Sequence, residues 1–231
     1  MAELYGELYI VATPIGNLED ITVRARNILA SVDHILAEDT RVSRVLLTHC
    51  GIDVPVMPYH DFNKEKVTPG IMKMLKDGQK IALISDAGTP GVADPAFNLV
   101  RECIRTDIKV TPVPGACALI TALVGSGLPT DRFVFENFLA PKSARRKTFL
   151  TAMLEEPRTV IFYETPHRIL SVLKDMNDIM PEVQVVIGRE LTKMFEEFLR
   201  GTPQELLAHF EKAKPRGEMV VMFNSRIKGK I

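Results

Sequence analysis

The stretch LISDAGTPGVADP, residues 83–95, joins the end of an apolar strand to the start of a helix. Its turn, SDAGTPG, holds two glycines, a proline, a threonine and the carboxylate of Asp86, but no lysine or arginine. A strand, a tight turn and a helix in succession form the repeating unit of parallel α/β sheets. The stretch therefore predicts such a sheet, with this turn at the edge where ligands bind.

The same alternation of strand and helix extends over the first half of the chain. One of the helices is predicted to begin with Thr68 as its N-cap and Pro69 as its first residue. Strands that alternate with helical crossovers predict a parallel, doubly wound sheet. The predicted strands are residues 6–12, 34–38, 54–58, 80–85 and 109–113.

The second half has a different pattern. The turn-rich segment GSGLPTDR, residues 125–132, is interpreted as a domain boundary, which gives domains 1–127 and 128–231. The strands beyond it are short and alternating, with fewer helical crossovers, so they predict a mixed α/β sheet. They are residues 132–138, 159–164, 183–188, 195–201 and 217–223.

Composition excludes several classes of protein. Of the 231 residues 46% are hydrophobic and 25% charged, and 29 basic residues balance 29 acidic ones, so any nucleic-acid surface must be local. Cys50, Cys103 and Cys117 lack the spacing of a metal or redox site. No apolar run approaches a membrane span and no basic leader precedes one, so we expect a cytoplasmic protein without a metal.

Turns that follow the predicted strands are the candidate ligand site. They are TPIGN (13–17), SDAGTPG (85–91) and PGACA (114–118), and none has a dinucleotide or P-loop pattern. The carboxylate of Asp86 suits ribose hydroxyls or a positive group, and the glycines permit close backbone approach. An adenosine that carries a sulfonium fits this chemistry better than a pyrophosphate does. A tight turn without a ligand explains the same residues equally well.

Eight short motifs run in order along nearly the whole chain. Together they resemble the tetrapyrrole methylase superfamily of S-adenosylmethionine-dependent enzymes, in particular its branch that acts on ribosomal RNA. The motifs are TPIGNLEDIT, AEDTR (37–41), SDAGTPG, DP (94–95), PGACA, FYETPHR (162–168), RELTK (189–193) and RGEMV (216–220).

The resemblance implies a two-domain α/β fold with the active site in the cleft between domains, and a homodimer. It also implies methyl transfer to the 2′-oxygen of one cytidine in 16S ribosomal RNA of the small subunit. The residues that it implies for binding of S-adenosylmethionine are Asp86, Ala87, Gly88, Ala116, Cys117 and Tyr163, with Pro14, Arg189 and Glu190 from neighbouring turns.

AEDTR brings two acids and an arginine together at the end of the second strand. For the implied reaction, Glu38 or Asp39 would accept the hydroxyl proton and Arg41 would hold the adjacent phosphate. Spacing alone favours another interpretation, in which Asp39 caps a helix and Arg41 pairs with Glu38. Which carboxylate is the base stays open.

Positive charge is densest in PKSARRK, residues 141–147, between a predicted strand and a helix. Cations at a helix start oppose the helix dipole, which indicates an external anion such as RNA phosphate; a solvated helix start is the alternative. The candidate RNA contacts are Lys142, Arg145, Arg146, Lys147 and, in the YHDFN loop, His60, for which a merely exposed side chain is the alternative.

Two other functions compete with RNA methylation. One is methylation of a corrin-type tetrapyrrole by the same fold. The other is a catalytically silent protein that binds the ribosome or assists its assembly.

Overall fold

The computed structural model describes residues 5–94 and 96–229, so Pro95 of the DP motif lies outside the described residues. Its contacts divide the chain into two compact units, Met1–Cys117 and Ala118–Ile231. The elements of the first unit are β1 (Glu7–Val11), α1 (Val23–Leu29), β2 (His34–Ala37), α2 (Thr40–His49), β3 (Val56–Pro58), α3 (Lys64–Lys76), β4 (Lys80–Ile84), α4 (Ala96–Arg105) and β5 (Lys109–Val113).

The first unit is built on a parallel sheet in the order β3-β2-β4-β1-β5. Alternate residues of β4 enter different apolar clusters: Ile81 and Leu83 belong to one, Ala82 and Ile84 to the other. The sheet is therefore buried on both faces, which is why its strands read as continuous apolar runs. The predicted parallel sheet is confirmed.

The register brings the carboxyl ends of the central strands level. Val11, the last residue of β1, lies opposite Ile84 of β4 and Val113 of β5. The turns that follow these strands consequently lie at one edge of the sheet, where open α/β sheets bind ligands.

The predicted start of α3 is wrong. The helix begins at Lys64, and Pro69 lies inside it. Proline at this position leaves one helical hydrogen bond unmade, because it has no backbone N–H. The helix continues through it, and Thr68 Oγ1 donates to the Lys64 carbonyl at 2.6 Å.

The second unit contains a mixed sheet, as predicted. Its elements are α5 (Ala118–Ser126), β6 (Phe133–Phe138), α6 (Ser143–Ala152), β7 (Thr159–Glu164), α7 (Ile169–Ile179), β8 (Val183–Arg189), β9 (Glu197–Gly201), α8 (Pro203–Lys212) and β10 (Met219–Lys228). The strand order is β6-β7-β10-β8-β9, in which the β6–β7 pair is parallel and the other pairs are antiparallel.

Helix α5 belongs with the second sheet, so the division falls before this helix and not at the predicted 127/128 boundary. Two glycines let it approach closely. A Cβ at Gly125 would lie 2.5 Å from the Phe198 ring, and a Cβ at Gly188 would lie 3.4 Å from the Ala122 Cβ. The turn-rich segment that marked the predicted boundary follows a helix already packed on β8 and β9.

A buried ion pair joins α6 to α7. Arg146 is only 2% exposed, and its Nε donates to Asp175 Oδ2 at 2.7 Å. The guanidinium also donates to the carbonyl oxygens of Ala140, at 3.2 Å, and Ser171, at 3.3 Å. The guanidinium is thus buried and hydrogen-bonded to partners inside the protein. The prediction that Arg146 contacts RNA is therefore corrected.

Replacing Arg146 with alanine should destabilise the second unit strongly, because the buried Asp175 would lose its closest cationic partner and keep only Lys147, 3.8 Å away. Loss of one member of a buried ion pair costs about 3–5 kcal/mol. Arg145→Ala, at the exposed neighbouring position, should change stability by about 0.5 kcal/mol or less. Urea denaturation of both variants tests this; equal unfolding midpoints would contradict it.

Candidate functional site

Two of the predicted ligand turns are joined by backbone hydrogen bonds. The Thr13 amide donates to the Gly88 carbonyl at 2.9 Å, and the Gly88 amide donates back to the Thr13 carbonyl at 3.1 Å. Thr13 Oγ1 adds a bond to the Ser85 carbonyl at 3.1 Å. TPIGN and SDAGTPG therefore form one rigid piece, in which Pro14 is buried.

Gly88 is required at its position by conformation and by space. Its φ is +87°, in the region that favours glycine, and a Cβ there would lie 3.3 Å from Ile15 Cγ2 and 3.7 Å from the Ala116 carbonyl oxygen. Thr89 Oγ1 donates to the same Ala116 oxygen at 3.1 Å. The PGACA turn, with Ala116 and Cys117 half-buried, thus joins the other two.

Asp86 connects this assembly to AEDTR. Its Oδ1 accepts a hydrogen bond from the Asp39 amide at 3.0 Å, while Asp86 and Ala87 remain exposed. The sequence predicted that both motifs lie at ligand-side strand ends, and the structure brings them into direct contact.

Asp39 and Arg41 bind each other. Arg41 donates through Nε to Asp39 Oδ1 at 3.0 Å and through Nη2 to Oδ2 at 2.6 Å, and its amide donates to Oδ1 at 2.8 Å. These bonds lower the pKa of Asp39 to about 2. Asp39 therefore caps α2, as the alternative interpretation held, but Arg41 pairs with Asp39 instead of Glu38. The Arg41 side chain is still 90% exposed.

Glu38 has the opposite electrostatic environment. Partial burial raises its pKa, and the negative charges of Asp86, Asp94 and Asp61 raise it further, while His60 partly offsets them. A high pKa makes a carboxylate a better proton acceptor than one whose pKa is about 2. The two acids of AEDTR therefore differ in pKa and in how readily they accept a proton.

Asp94 is a site residue to which sequence reasoning assigned no role. With Glu38, Tyr59 and Ser85 it lines a cavity of about 10 Å³. Its Oδ1 accepts from the Gly91 amide at 2.7 Å and the Ala96 amide at 2.9 Å, and burial raises its pKa. The DP motif is the feature of the sequence that contains Asp94. Its separation from AEDTR along the chain hides the proximity of Asp94 to Glu38.

His60 follows β3 at the same edge. Its amide donates to Asn63 Oδ1 at 2.9 Å, and Lys64 pairs with Asp61 at 2.7 Å. The influence of His60 and Asp61 on the pKa of Glu38 indicates that this loop borders the acidic group.

Predicted residues of the second unit also gather at one sheet edge, since Met219 of β10 lies opposite both Glu164 and Arg189. Near the end of β7, Tyr163 contacts the rings of Phe135 and Phe138, with centroids 4.9 and 5.8 Å away.

Arg189 and Glu190 are held by other residues of the second unit. Arg189 pairs with Glu197 at 2.8 Å. The carboxylate of Glu190 accepts from Lys193 at 3.0 Å and from the Glu218 amide at 3.3 Å. A Cβ at Gly217 would lie 2.3 Å from Glu190 Oε1, so RELTK and RGEMV interlock. These contacts explain both residues as structural.

The PKSARRK segment contains cations in three different situations. Arg146 is buried, and Lys147 pairs with Asp178 at 2.6 Å. Lys142 and Arg145 are exposed, and within the described part of the chain neither has an ion-pair partner. Only these two are available to an external anion without breaking an existing bond.

Neither a metal site nor a membrane span is found in residues 5–94 and 96–229. Within these ranges, His, Cys, Asp and Glu side chains form no group of three or more that could hold a metal ion. None of the helices described there is both long enough and apolar enough to span a bilayer.

Comparison with known proteins gives consistent matches. The family described as Tetrapyrrole (Corrin/Porphyrin) Methylases matches residues 7–207. Ribosomal RNA small subunit methyltransferase I of Thermotoga maritima is 46% identical, covering 96% of this chain and 99% of that protein. The protein of the same name from Haemophilus influenzae is 49% identical, covering 99% of this chain and 82% of its own.

Among solved structures, uroporphyrin-III C-methyl transferase from Thermus thermophilus, complexed with S-adenyl homocysteine, has the same fold. Its TM-score is 0.66 at 16% identity, covering 94% of this chain and 97% of that one. The extent of the sequence matches decides the assignment: the chain belongs to the tetrapyrrole methylase family.

Proposed function

We propose that this protein is a cytoplasmic methyltransferase that transfers the methyl group of S-adenosylmethionine to the 2′-oxygen of a cytidine in 16S ribosomal RNA. The observation that carries the proposal is the hydrogen bond between the Asp39 amide and Asp86 Oδ1, at 3.0 Å. It joins the turn suited to the methyl donor to the motif that holds the candidate base. Relatives over nearly the whole chain are named for the ribosomal small subunit.

The residues of the first unit fit S-adenosylmethionine. Gly88 presents backbone without a side chain, and the exposed carboxylate of Asp86 can accept hydrogen bonds from ribose hydroxyls. When bound, the methyl donor supplies a methyl group on a positively charged sulfonium, which is already a good leaving group. Ala87, Ala116 and Cys117 complete this proposed site, with Pro14 supporting its turn from within.

The second unit is proposed to contribute one residue directly to the cofactor site and two indirectly. Tyr163 is proposed to contribute to the pocket because its ring lies near the end of β7, among other aromatic rings. Arg189 and Glu190 are proposed to act indirectly, since their charged groups are held by Glu197 and Lys193.

Glu38 is the proposed proton acceptor. A 2′-hydroxyl is a weak nucleophile near neutral pH, so positioning and removal of its proton must provide the acceleration. Asp39, with its pKa near 2, is a poor base, but it holds Arg41 through two hydrogen bonds. Arg41 is then positioned to bind the phosphate beside the acceptor ribose.

RNA phosphate is proposed to contact Lys142 and Arg145, with Lys147 contributing if it leaves Asp178, and His60 is proposed to contact RNA beside Glu38. We propose that the substrate is 16S RNA within the small subunit, because a protein of zero net charge has little general attraction for naked RNA. A homodimer is proposed as the assembly; Ile120 and Val124 of the apolar helix α5 are exposed, 43% and 72%.

The first prediction concerns the cofactor. Gly88→Val should abolish binding of S-adenosylmethionine in calorimetry, because a side chain at this position meets Ile15 and the Ala116 carbonyl and displaces the turns that form the proposed site. Gly51→Val is the matched control, since Gly51 has φ +68° but no atom within 4 Å of its Cβ position. Asp86→Asn, which still accepts from the Asp39 amide, should weaken binding roughly tenfold to a hundredfold. Wild-type affinity in a folded Gly88→Val protein would remove SDAGTPG from the site.

The second prediction concerns pH. If Glu38 must be ionised to accept the proton, kcat should fall as pH decreases through its raised pKa. Asp94→Asn removes a neighbouring negative charge but keeps the Oδ1 acceptor, so the pKa of Glu38 should decrease and the acidic limb should move to lower pH. A profile of kcat against pH tests this. An acidic limb that is the same in wild type and Asp94→Asn would exclude the assignment.

The third prediction concerns RNA. Lys142→Glu combined with Arg145→Glu should raise KM for small ribosomal subunits strongly and leave affinity for S-adenosylmethionine within about twofold. The slope of log affinity for subunits against log salt concentration should become shallower, by up to roughly one unit for each phosphate that is no longer neutralised. Lys73→Glu with Lys76→Glu makes the same change of net charge at the other end of the first sheet. Equal effects of the two double variants would show that net charge alone matters.

A further inference from the structure

Phe62 is 99% exposed, more than any other large apolar residue described as exposed in the structure. It lies in the loop after β3, which begins at the ligand side of the sheet. The preceding Tyr59 is buried, and its amide donates to the Ala37 carbonyl at 2.8 Å, next to Glu38. The ring thus projects into solvent from the border of the acidic group.

The loop that carries Phe62 is held firmly. Asn63 accepts from the His60 amide at 2.9 Å and donates through Nδ2 to the Pro58 carbonyl at 3.0 Å, and Lys64 pairs with Asp61 at 2.7 Å. A rigid backbone that presents an aromatic ring to water loses little conformational entropy when the ring binds a partner.

The exposed aromatic residue Phe97 differs from Phe62, because a cation of the protein lies over its ring. The Arg101 guanidinium lies 5.2 Å from the centroid of Phe97, which is 62% exposed. The neighbour of the Phe62 ring is His60, at 6.1 Å and tilted by 60°, which leaves a face of the ring open. Among the described residues no cation lies over that ring.

The charge of this border limits how it can hold RNA. Glu38 and Asp86 repel phosphate, Lys64 offsets the charge of Asp61, and Arg41, the proposed phosphate contact, is offset by Asp39. A contact that needs no charge therefore adds to the limited attraction that Arg41 can give at this edge. Stacking of a base on an aromatic ring is such a contact, and single-stranded RNA offers unstacked bases for it.

We propose that Phe62 stacks on an unpaired nucleobase adjacent to the methylated nucleotide. The inference rests on the proposed function and adds the way in which the substrate is held. If the nucleotide whose ribose enters the site leaves its own base stack, a neighbouring base loses a stacking partner. The ring of Phe62 then takes the place of that stacking partner at the border of the acidic group.

Kinetics with small ribosomal subunits test the stack. Phe62→Leu, which keeps apolar bulk but removes the aromatic face, should raise KM roughly five- to a hundredfold, with kcat and affinity for S-adenosylmethionine unchanged. The dependence of binding on salt should stay that of the wild type, because the number of neutralised phosphates does not change. Phe62→Trp should restore KM, and Phe97→Leu, the matched control, should leave it unaltered.

Fluorescence provides a readout independent of catalysis. The sequence contains no tryptophan, so Phe62→Trp introduces the protein's sole indole. At low salt and high RNA concentration, which offset the weak general attraction for naked RNA, a short single-stranded RNA should quench its emission, whereas Phe97→Trp should be unaffected by the same RNA.

Different results would overturn the methyltransferase proposal and the stacking proposal. A wild-type protein that transfers no methyl group to subunits overturns the proposed function, and quenching in Phe62→Trp then decides whether the ring binds bases. An active wild type whose KM is matched by Phe62→Leu overturns the stack and leaves the methyltransferase proposal intact.

Discussion

The pair of backbone hydrogen bonds between Thr13 and Gly88 is the constraint on which the site of the first unit depends. It requires Gly88 to adopt a φ of +87°, and it closes the turn after β4 against the turn after β1. From that fixed turn, Asp86 reaches the Asp39 amide and Thr89 reaches the Ala116 carbonyl. A side chain at Gly88 would disturb all of these bonds together, because they share one short segment of backbone.

Electrostatics then give the acids of this edge different roles. Asp39 is bound on both oxygens by Arg41, which lowers its pKa and keeps it ionised at a lower pH than an ordinary aspartate. Among the described residues Glu38 has no comparable bonds, and burial first and neighbouring like charges second raise its pKa. Two adjacent carboxylates thus take different roles: Asp39 holds the Arg41 cation, and Glu38 is the proposed proton acceptor. Their surroundings, not their residue type, make the difference.

The sequence predicts the architecture well because the relevant patterns are local. Continuous apolar runs separated by helices define the parallel sheet, and the turns that follow those runs necessarily meet at one edge. Charge is harder to interpret. Arg145 and Arg146 look equivalent in PKSARRK, yet one is exposed and the other is buried against Asp175, far along the chain. Separation along the chain also hides the link between Asp94 and AEDTR. The predicted boundary places α5 in the first domain, because the partners of this helix on β8 and β9 lie far along the chain.

The interlock of Glu190 with Gly217 has an evolutionary consequence. Atoms of the Glu190 side chain occupy the position that a Cβ at residue 217 would take, and the same carboxylate accepts the amide of Glu218. Neither residue can change alone without a steric overlap or an unpaired amide. The two positions should therefore vary as a pair among descendants of a common ancestor, so that RELTK and RGEMV are inherited as a single structural trait.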